Sequence, residues 1–274
     1  MQNEEMKVEK ILFITQEITP FVPASPMGTS CQDLLQAIQD KVKEIRTFTP
    51  LWGNINTRRN NLHEVIRLSG MNLIIDDTDH PLIIKVASLQ SARMQVYFIE
   101  NEDYFHNRLM TTDENGNEYS DNDERTIFFN LGVIEAVKKQ RWCPDIIHCT
   151  GWMSSLVPLY IRSAYKDEPS FRDSKIVISL FDENYKEPFS AEFARKLLCK
   201  DMSMEDLAGM EIPTSYTDLA KLSIRNCDGV IISSDNVSPE LIEYAQAQGK
   251  AILPKQTAEE AGNKSYEFYN SLFE

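Results

Sequence analysis

The sequence predicts an α/β fold: a single doubly wound domain with a mostly parallel central sheet and a β-rich insertion. Three observations predict it. Short apolar runs alternate with helical patterns along the 274 residues, the order that builds strand–helix–strand units. Four runs, KILFIT (10–15), PDIIHCT (144–150), SKIVISLF (174–181) and CDGVIISS (227–234), read as buried strands, each followed by a helix pattern. No internal repeat or linker divides the chain, so it is read as one domain over 1–274, with 255–274 as a closing helix.

In chain order, KILFIT is the first strand and is placed in the sheet interior. SCQDLLQAIQDKVKEI (30–45) sets Leu34, Leu35, Ile38, Val42 and Ile45 at spacings of three and four, one apolar helix face. RTFTPLW (46–52) is a second strand, stopped near Pro50. LHEVIRLS, MNLIIDD, PLIIKVASL and MQVYFIEN follow between 62 and 101 with no room for helices between them, which predicts antiparallel pairing there. DENGNEYSDNDER (113–125) is a polar loop and RTIFFNLGVIEAVKKQ (125–140) an amphipathic helix. A helix begins near Trp152 and another spans SYTDLAKLSIRN (215–226). SPELIEYAQAQG (238–249) reads as a helix with Ser238 as N-cap, Pro239 at its first position and Gly249 just past its end.

Composition excludes several functions. The formal net charge of −14 repels phosphate backbones and anionic lipid, so neither nucleic acid nor a membrane surface is an expected partner. No apolar stretch approaches the ~20 residues of a membrane span. The polar start MQNEEMKVEK lacks the apolar core of a signal peptide. The five cysteines (Cys31, Cys143, Cys149, Cys199, Cys227) are odd in number and form no CxxC pair, which reads as reduced thiols of a cytoplasmic protein. The four histidines are scattered, so no metal is expected, and no motif implies a cofactor. DDTD (76–79) reads as a solvated turn.

Several stretches carry a resemblance. KILFITQEITPF holds an opening strand and a Glu-x-x-Pro-Phe turn, and TPLWGNI (49–55) a Pro-x-Tyr-Gly-x-Ile-like turn. YFIENEDYF (97–105) and YSDNDERTIFF (119–129) look like a Phe-Asp-Arg and Asp-Asn-x-x-Arg-Phe region. PDIIHCTGWMSSLVP (144–158) and CDGVIISSDNVSPE (227–240) complete the series. From about residue 10 to 240, and in this order, they resemble the N-terminal half of bacterial glycogen and starch synthases. Those are retaining glucosyltransferases of the family 5 type that use a nucleotide-glucose donor. The resemblance implies one Rossmann-like half of a GT-B fold. It also implies an active site between two α/β domains, with most donor contacts in the second, and 274 residues have room for only the first. In the family a terminal helix returns to pack on that first domain. Here SYEFYNSLF (265–273) puts Tyr266, Phe268, Tyr269, Leu272 and Phe273 on two adjoining helical rows, either a closing helix or a self-association surface.

The resemblance also marks departures. Where the family has Lys-Thr-Gly-Gly-Leu-Gly-Asp, this chain has Pro23, Ala24, Ser25, Pro26, Met27, Gly28 and Thr29. The lysine expected at donor phosphate is a proline, and Pro26 removes a backbone N–H. Gly28 alone persists, read as a helix-entry residue more than a ligand contact. The family's His-Asp-Trp is Thr150-Gly151-Trp152, and Thr-Ile-His-Asn aligns with Ser179-Leu180-Phe181-Asp182.

Two readings stand at each remaining position. His148 faces a ligand at the strand end, or is a buried histidine bonded to backbone. Trp152 stacks on a sugar, or staples its helix to the core. Asp121, Asn122 and Arg125 line the cleft, or cap and support the helix from 125. Asp182, Glu183 and Glu187 hint at paired carboxylates, with nothing to fix their separation. The expected function is a stand-alone, non-catalytic relative of the synthase N-terminal domain that binds a glucan or a protein, with self-association through the aromatic helix. The alternative is an ADP-glucose-type glucosyltransferase half completed in trans by a donor-binding chain.

Overall fold

The computed structural model describes residues 8–89 and 94–274. The order of strands in its sheet follows from burial. β1 (Lys10–Thr15) is apolar on both faces and lies between β2 (Glu44–Pro50) and β7 (Ile146–Thr150), parallel to each. Beyond β7 the sheet continues in parallel through β8 (Lys175–Leu180), β9 (Gly229–Ile232) and β10 (Ala251–Leu253). On the other side β6 (Met94–Glu100) is parallel to β2. The expected antiparallel part begins there: β5 (Thr78–Leu89) runs against β6, and β3 (His63–Glu64) and β4 (Met71–Ile75) pair with different halves of β5. The 62–69 run yields only the two-residue β3.

Helices cover both faces. α1 (Pro26–Ile38) and α7 (Ala258–Ser271) pack together over the face onto which Phe13, His148 and Ser179 project. α2 (Asn122–Lys139), α3 (Val157–Arg162) and α5 (Tyr216–Asn226) form the second layer. α4 (Phe193–Leu197) leans on α2, and α6 (Pro239–Ala247) on α5 and β10. The first helix is displaced from the expected 30–45. Ser25 caps it and Pro26 opens it, while Ile45 is claimed by β2, where Lys10 pairs with Glu44. α2 starts at Asn122 and not Arg125, and a short 3-10 turn, Trp152–Ser154, precedes α3. Around α6, Pro239 takes the first turn and Gly249 adopts φ +66, but the Ser238 side chain makes no cap bond.

α7 is held closely. A Cβ on Gly262 would overlap that of Ala37 on α1, and one on Gly229 would meet the Phe268 ring at 2.8 Å. Asn270 Oδ1 accepts from the Val8 N–H (2.9 Å), and the Tyr269 hydroxyl meets His148 (2.7 Å). Tyr269 is fully buried and Tyr266, Phe268, Leu272 and Phe273 pack against the core, so the aromatic rows face inward. Among the described residues the large apolar side chains that are exposed, Ile66, Ile74, Met204 and Ile212, lie elsewhere. Among the described residues no helix is long and apolar enough to cross a membrane, and the five cysteines are unpaired.

Alanine normally favours a helix over glycine, yet at Gly262 the close crossing dominates. Gly262→Ala is expected to destabilise the fold by about 1–3 kcal/mol, the usual cost of overpacking. Adding Ala37→Gly should recover most of the loss. Urea unfolding of the parent, the two single variants and the double variant checks this.

Candidate functional site

Parallel sheets of this kind bind ligands at the carboxyl ends of their strands. Here that edge is built around Gln16, just past β1. Gln16 is 7% exposed, and its N–H donates to the Thr150 carbonyl (3.0 Å). Its carbonyl accepts from the Trp52 indole (2.8 Å), and its side-chain oxygen accepts from the Met153 N–H (3.2 Å). Gly151 lies against it. Its φ of +84° and ψ of 146° belong to a region almost confined to glycine, and a Cβ there would fall 2.5 Å from the Gln16 Cβ.

The loop from β1 to α1 closes on itself. Ser25 Oγ donates to Glu17 Oε1 (2.8 Å) and accepts from the Gly28 N–H (2.8 Å). The Gly28 carbonyl in turn accepts from the Thr19 N–H (3.2 Å). Gly28 suits this approach, since a Cβ would fit tightly at 3.1 Å from Ser25 Oγ and 3.2 Å from Thr19 Oγ1. The helix start is therefore capped from within, and Pro26 offers no N–H. Burial raises the Glu17 carboxyl above its ordinary range, the Ser25 bond opposing it.

Trp152 is 3% exposed. Its ring packs edge-on to Tyr185 (5.1 Å), which stacks flat on Phe189 (4.5 Å). The ring thus staples the 3-10 turn to the core, with no face left for a sugar. The loop carrying Tyr185 is tied across the edge by Glu118, whose two oxygens accept from the N–H groups of Lys186 (2.8 Å) and Glu187 (2.9 Å). Beneath this aromatic group lies Glu183. Its carboxylate accepts from the Trp152 N–H (3.2 Å), with the Tyr216 hydroxyl at 3.5 Å. Burial pushes it up to about 8, helped by repulsion from Glu17. Of the three carboxylates singled out in the sequence, Glu183 is half-buried and Asp182 and Glu187 are exposed.

Asp121, Asn122 and Arg125 come together as a knot. Arg125 is fully buried and donates to the Tyr104 carbonyl (2.8 Å), Asn122 Oδ1 (2.7 Å) and the Leu109 carbonyl (2.8 Å). It lies over the Tyr119 ring at 4.7 Å, and burial draws its guanidinium down to about 9. Asp121 binds Arg108 through both oxygens (2.6 and 2.7 Å), and Asn122 Nδ2 donates to the Thr111 carbonyl (2.9 Å). The three residues fasten the 104–121 segment to α2. His148 stands apart, fully buried, with Nδ1 on the Tyr269 hydroxyl and Nε2 on Ser179 Oγ, each at 2.7 Å. Burial pushes it down to about 3, so it is neutral. Its partners are side chains and not backbone. Gln16, Glu17 and Glu118 carry much of this edge and were not singled out in the sequence; Glu17 opens the quoted Glu-x-x-Pro-Phe turn beside Gln16, and Glu118 lies in the quoted polar loop 113–125. Among the described residues no group of three or more His, Cys, Asp and Glu side chains is placed to hold a metal ion.

Comparison with known proteins places these features. The family model for the starch synthase catalytic domain matches residues 10–253. A glycogen synthase of Pelodictyon phaeoclathratiforme is 35% identical over 237 residues, 86% of this chain and 48% of that protein. One from Chlorobium phaeobacteroides is 38% identical over 172 residues, 62% of this chain and 35% of the other. The chain spans about half the length of such relatives, or less. Among solved structures, the catalytic domain of Starch Synthase IV from Arabidopsis thaliana, bound to ADP and acarbose, superposes with a TM-score of 0.71 over 92% of this chain and 52% of that one, at 16% identity. That likeness shows the fold: one half of a GT-B glycosyltransferase.

The folded state keeps the Glu183 proton up to about pH 8, while the unfolded chain releases it near 4.5. Stability therefore falls as pH rises between those values and levels off above them. Glu183→Gln is expected to remove that fall. At about pH 9 it should exceed the parent by at least ~1.4 kcal/mol, the worth of one pKa unit, with a much smaller difference near pH 5. Urea unfolding at the two pH values checks it.

Proposed function

The chain belongs to the starch synthase catalytic domain family, and on that premise we propose that it is a member without glucosyl transfer of its own, acting by binding a partner. The observation that carries this reading is Gly151. The family resemblance puts an aspartate there, but the backbone at φ +84° and its contact with Gln16 exclude any side chain. Two further departures support it. The β1–α1 loop spends Ser25 and Glu17 on its own cap where a donor phosphate would need free donors, and Phe181 holds the place of a histidine without a proton to share. Transfer requires groups that orient two substrates and stabilise a departing nucleotide, and these supply many kcal/mol in enzymes. The enclosed Trp152 makes a protein surface the better partner than a stacked glucan.

A second reading rests on one observation, that the chain covers 48% of the Pelodictyon enzyme. On that reading it is a transferase half completed by a donor-binding domain.

The purified chain is expected to incorporate no labelled glucose from ADP-glucose or UDP-glucose into glycogen. Calorimetry should show no ADP-glucose binding tighter than about millimolar, or ~4 kcal/mol. A micromolar isotherm, or steady incorporation by the chain alone, overturns the proposal. Incorporation that appears only when a relative's donor-binding domain is added establishes the second reading.

A second check concerns the carrying observation. Gly151→Asp should restore no transfer and should lower stability by more than about 2 kcal/mol, the scale of a strained backbone plus an overpacked contact. A variant as stable as the parent in urea unfolding removes Gly151 from the argument.

A further inference from the structure

The polar segment 113–125 holds the one Asn-Gly pair of the chain, Asn115-Gly116. Every other asparagine is followed by a residue with a side chain. The difference is chemical. A backbone nitrogen can attack the side-chain carbonyl of the asparagine before it, and glycine, lacking a Cβ, leaves that approach open. The bond from the Gly116 nitrogen to Asn115 Cγ forms, the Cγ–Nδ2 bond breaks, and the nitrogen's proton leaves with the departing ammonia. Water then opens the ring imide at either of its carbonyls. One opening leaves aspartate at 115 in a normal main chain. The other leaves isoaspartate, whose main chain runs through the former side chain. Amide and water become carboxylate and ammonium, with nothing oxidised or reduced.

The fold exposes the pair and winds a turn around it. Asn115 and Gly116 are exposed, and a Cβ on Gly116 would meet nothing within 4 Å. Asp113 Oδ1 accepts from the N–H groups of Asn115 (2.9 Å) and Asn117 (2.8 Å). The Asp113 carbonyl accepts from the Gly116 N–H (3.0 Å), and the Asp113 N–H donates to the Asn117 carbonyl (2.8 Å). The Gly116 nitrogen must leave Asp113 before it attacks, so the turn sets the pace of the reaction. A β-bridge between Thr112 and Glu118 closes the base of the turn, and Glu118 spans the carboxyl edge to the Lys186 and Glu187 N–H groups.

Both products disturb this arrangement. Isoaspartate adds a carbon to the main chain between residues 115 and 116, inside the Asp113–Gly116 and Asp113–Asn117 bonds and the 112–118 bridge. Either product puts a carboxylate beside Asp113. Hydrogen bonds from Asn117, and then from Asn115, hold the Asp113 carboxyl below its ordinary range, so the new charge meets a charged neighbour. Glu114 and Glu118 flank the same turn. Added charge of like sign loosens such a turn by repulsion.

We propose that Asn115 is a site of spontaneous deamidation, and that its conversion releases the Glu118 tie across the carboxyl edge. No catalytic group of the chain takes part, so the site stands whether or not the chain transfers glucose.

Peptide mass spectrometry of the full chain, aged in warm and mildly alkaline buffer, reads conversion at each asparagine. Methylation by an isoaspartyl methyltransferase reads the branched product, and hydrogen exchange at the Lys186 and Glu187 amides reads the tie. Asn115 is expected to convert at least about tenfold faster than any other asparagine, and Gly116→Ala to slow it by a similar factor, one decade of rate for each ~1.4 kcal/mol of barrier. Asp113→Ala loosens the turn and should hasten conversion. As the converted fraction grows, the Lys186 and Glu187 amides should exchange about tenfold faster, as expected for losing a bond to a charged acceptor. Asn115→Gln closes the ring far more slowly and should keep both amides protected through the same ageing. Conversion at Asn115 no faster than elsewhere, no acceleration in Asp113→Ala, or unchanged exchange at both amides in the converted chain overturns the proposal.

Discussion

The carboxyl edge of the sheet depends on how closely the ends of β1 and β7 approach. Gln16 and Gly151 meet with no room for a side chain on the latter. Because that space is closed, the Gln16 side chain can reach the Met153 N–H and its carbonyl the Trp52 indole. One residue thereby ties the ends of β1 and β7 to the turn that begins α3 and to the loop after β2. The turn at Trp152–Ser154 follows from it, because a chain leaving β7 through a glycine-only conformation is aimed beneath the Tyr185 loop. Trp152 is buried as a consequence of where its neighbour stands.

The same economy runs along much of the edge, though the buried Thr19 and Thr150 hydroxyls stand outside it. Groups that could serve a ligand are spent on one another. Ser25 caps α1 and holds Glu17, Glu118 holds the backbone of the 186–187 segment, and Arg125 donates from all three nitrogens to two carbonyls and Asn122. A buried guanidinium without a carboxylate against it is costly to hold, and aromatic faces with aligned carbonyls offset part of that cost. Such an arrangement favours a fixed loop over one that closes on substrate. Glu183 fits the same pattern: desolvation stabilises this half-buried carboxyl in its neutral form, and its bonds run to a backbone N–H and a tyrosine.

Much of the fold was legible because strand burial leaves a mark in composition. KILFIT, PDIIHCT and SKIVISLF could belong only to covered strands, and all three became neighbours in the sheet. β10 left no such mark: Ala251–Leu253 is three residues long and gains its strand character only by pairing with β9. The shift of α1 was legible in principle, since Ser25-Pro26 is a cap followed by a first-turn proline; the apolar spacing through Val42 and Ile45 hid it by continuing into β2. The site was less legible because its chemistry depends on distant partners. Trp152 gave no sign of Tyr185 and Phe189 above it. Glu183 looked like Asp182 and Glu187 until burial separated it from both. Asp121, Asn122 and Arg125 were visible as a group, but their carbonyl and arginine partners between 104 and 111 were not.

The closing helix links these layers. Glycine at 262 brings α7 against α1 closely enough for Tyr269 to reach His148, a contact that sequence spacing could not predict across 121 positions. The buried Tyr269 hydroxyl has His148 Nδ1 as its acceptor, so the neutral imidazole carries its proton on Nε2 and donates to Ser179 Oγ. A helix–helix crossing on one face thus decides whether a hydroxyl on the sheet floor offers a proton or a lone pair. With α7 in place, the polarity of the sheet floor at Ser179 is a property of the fold.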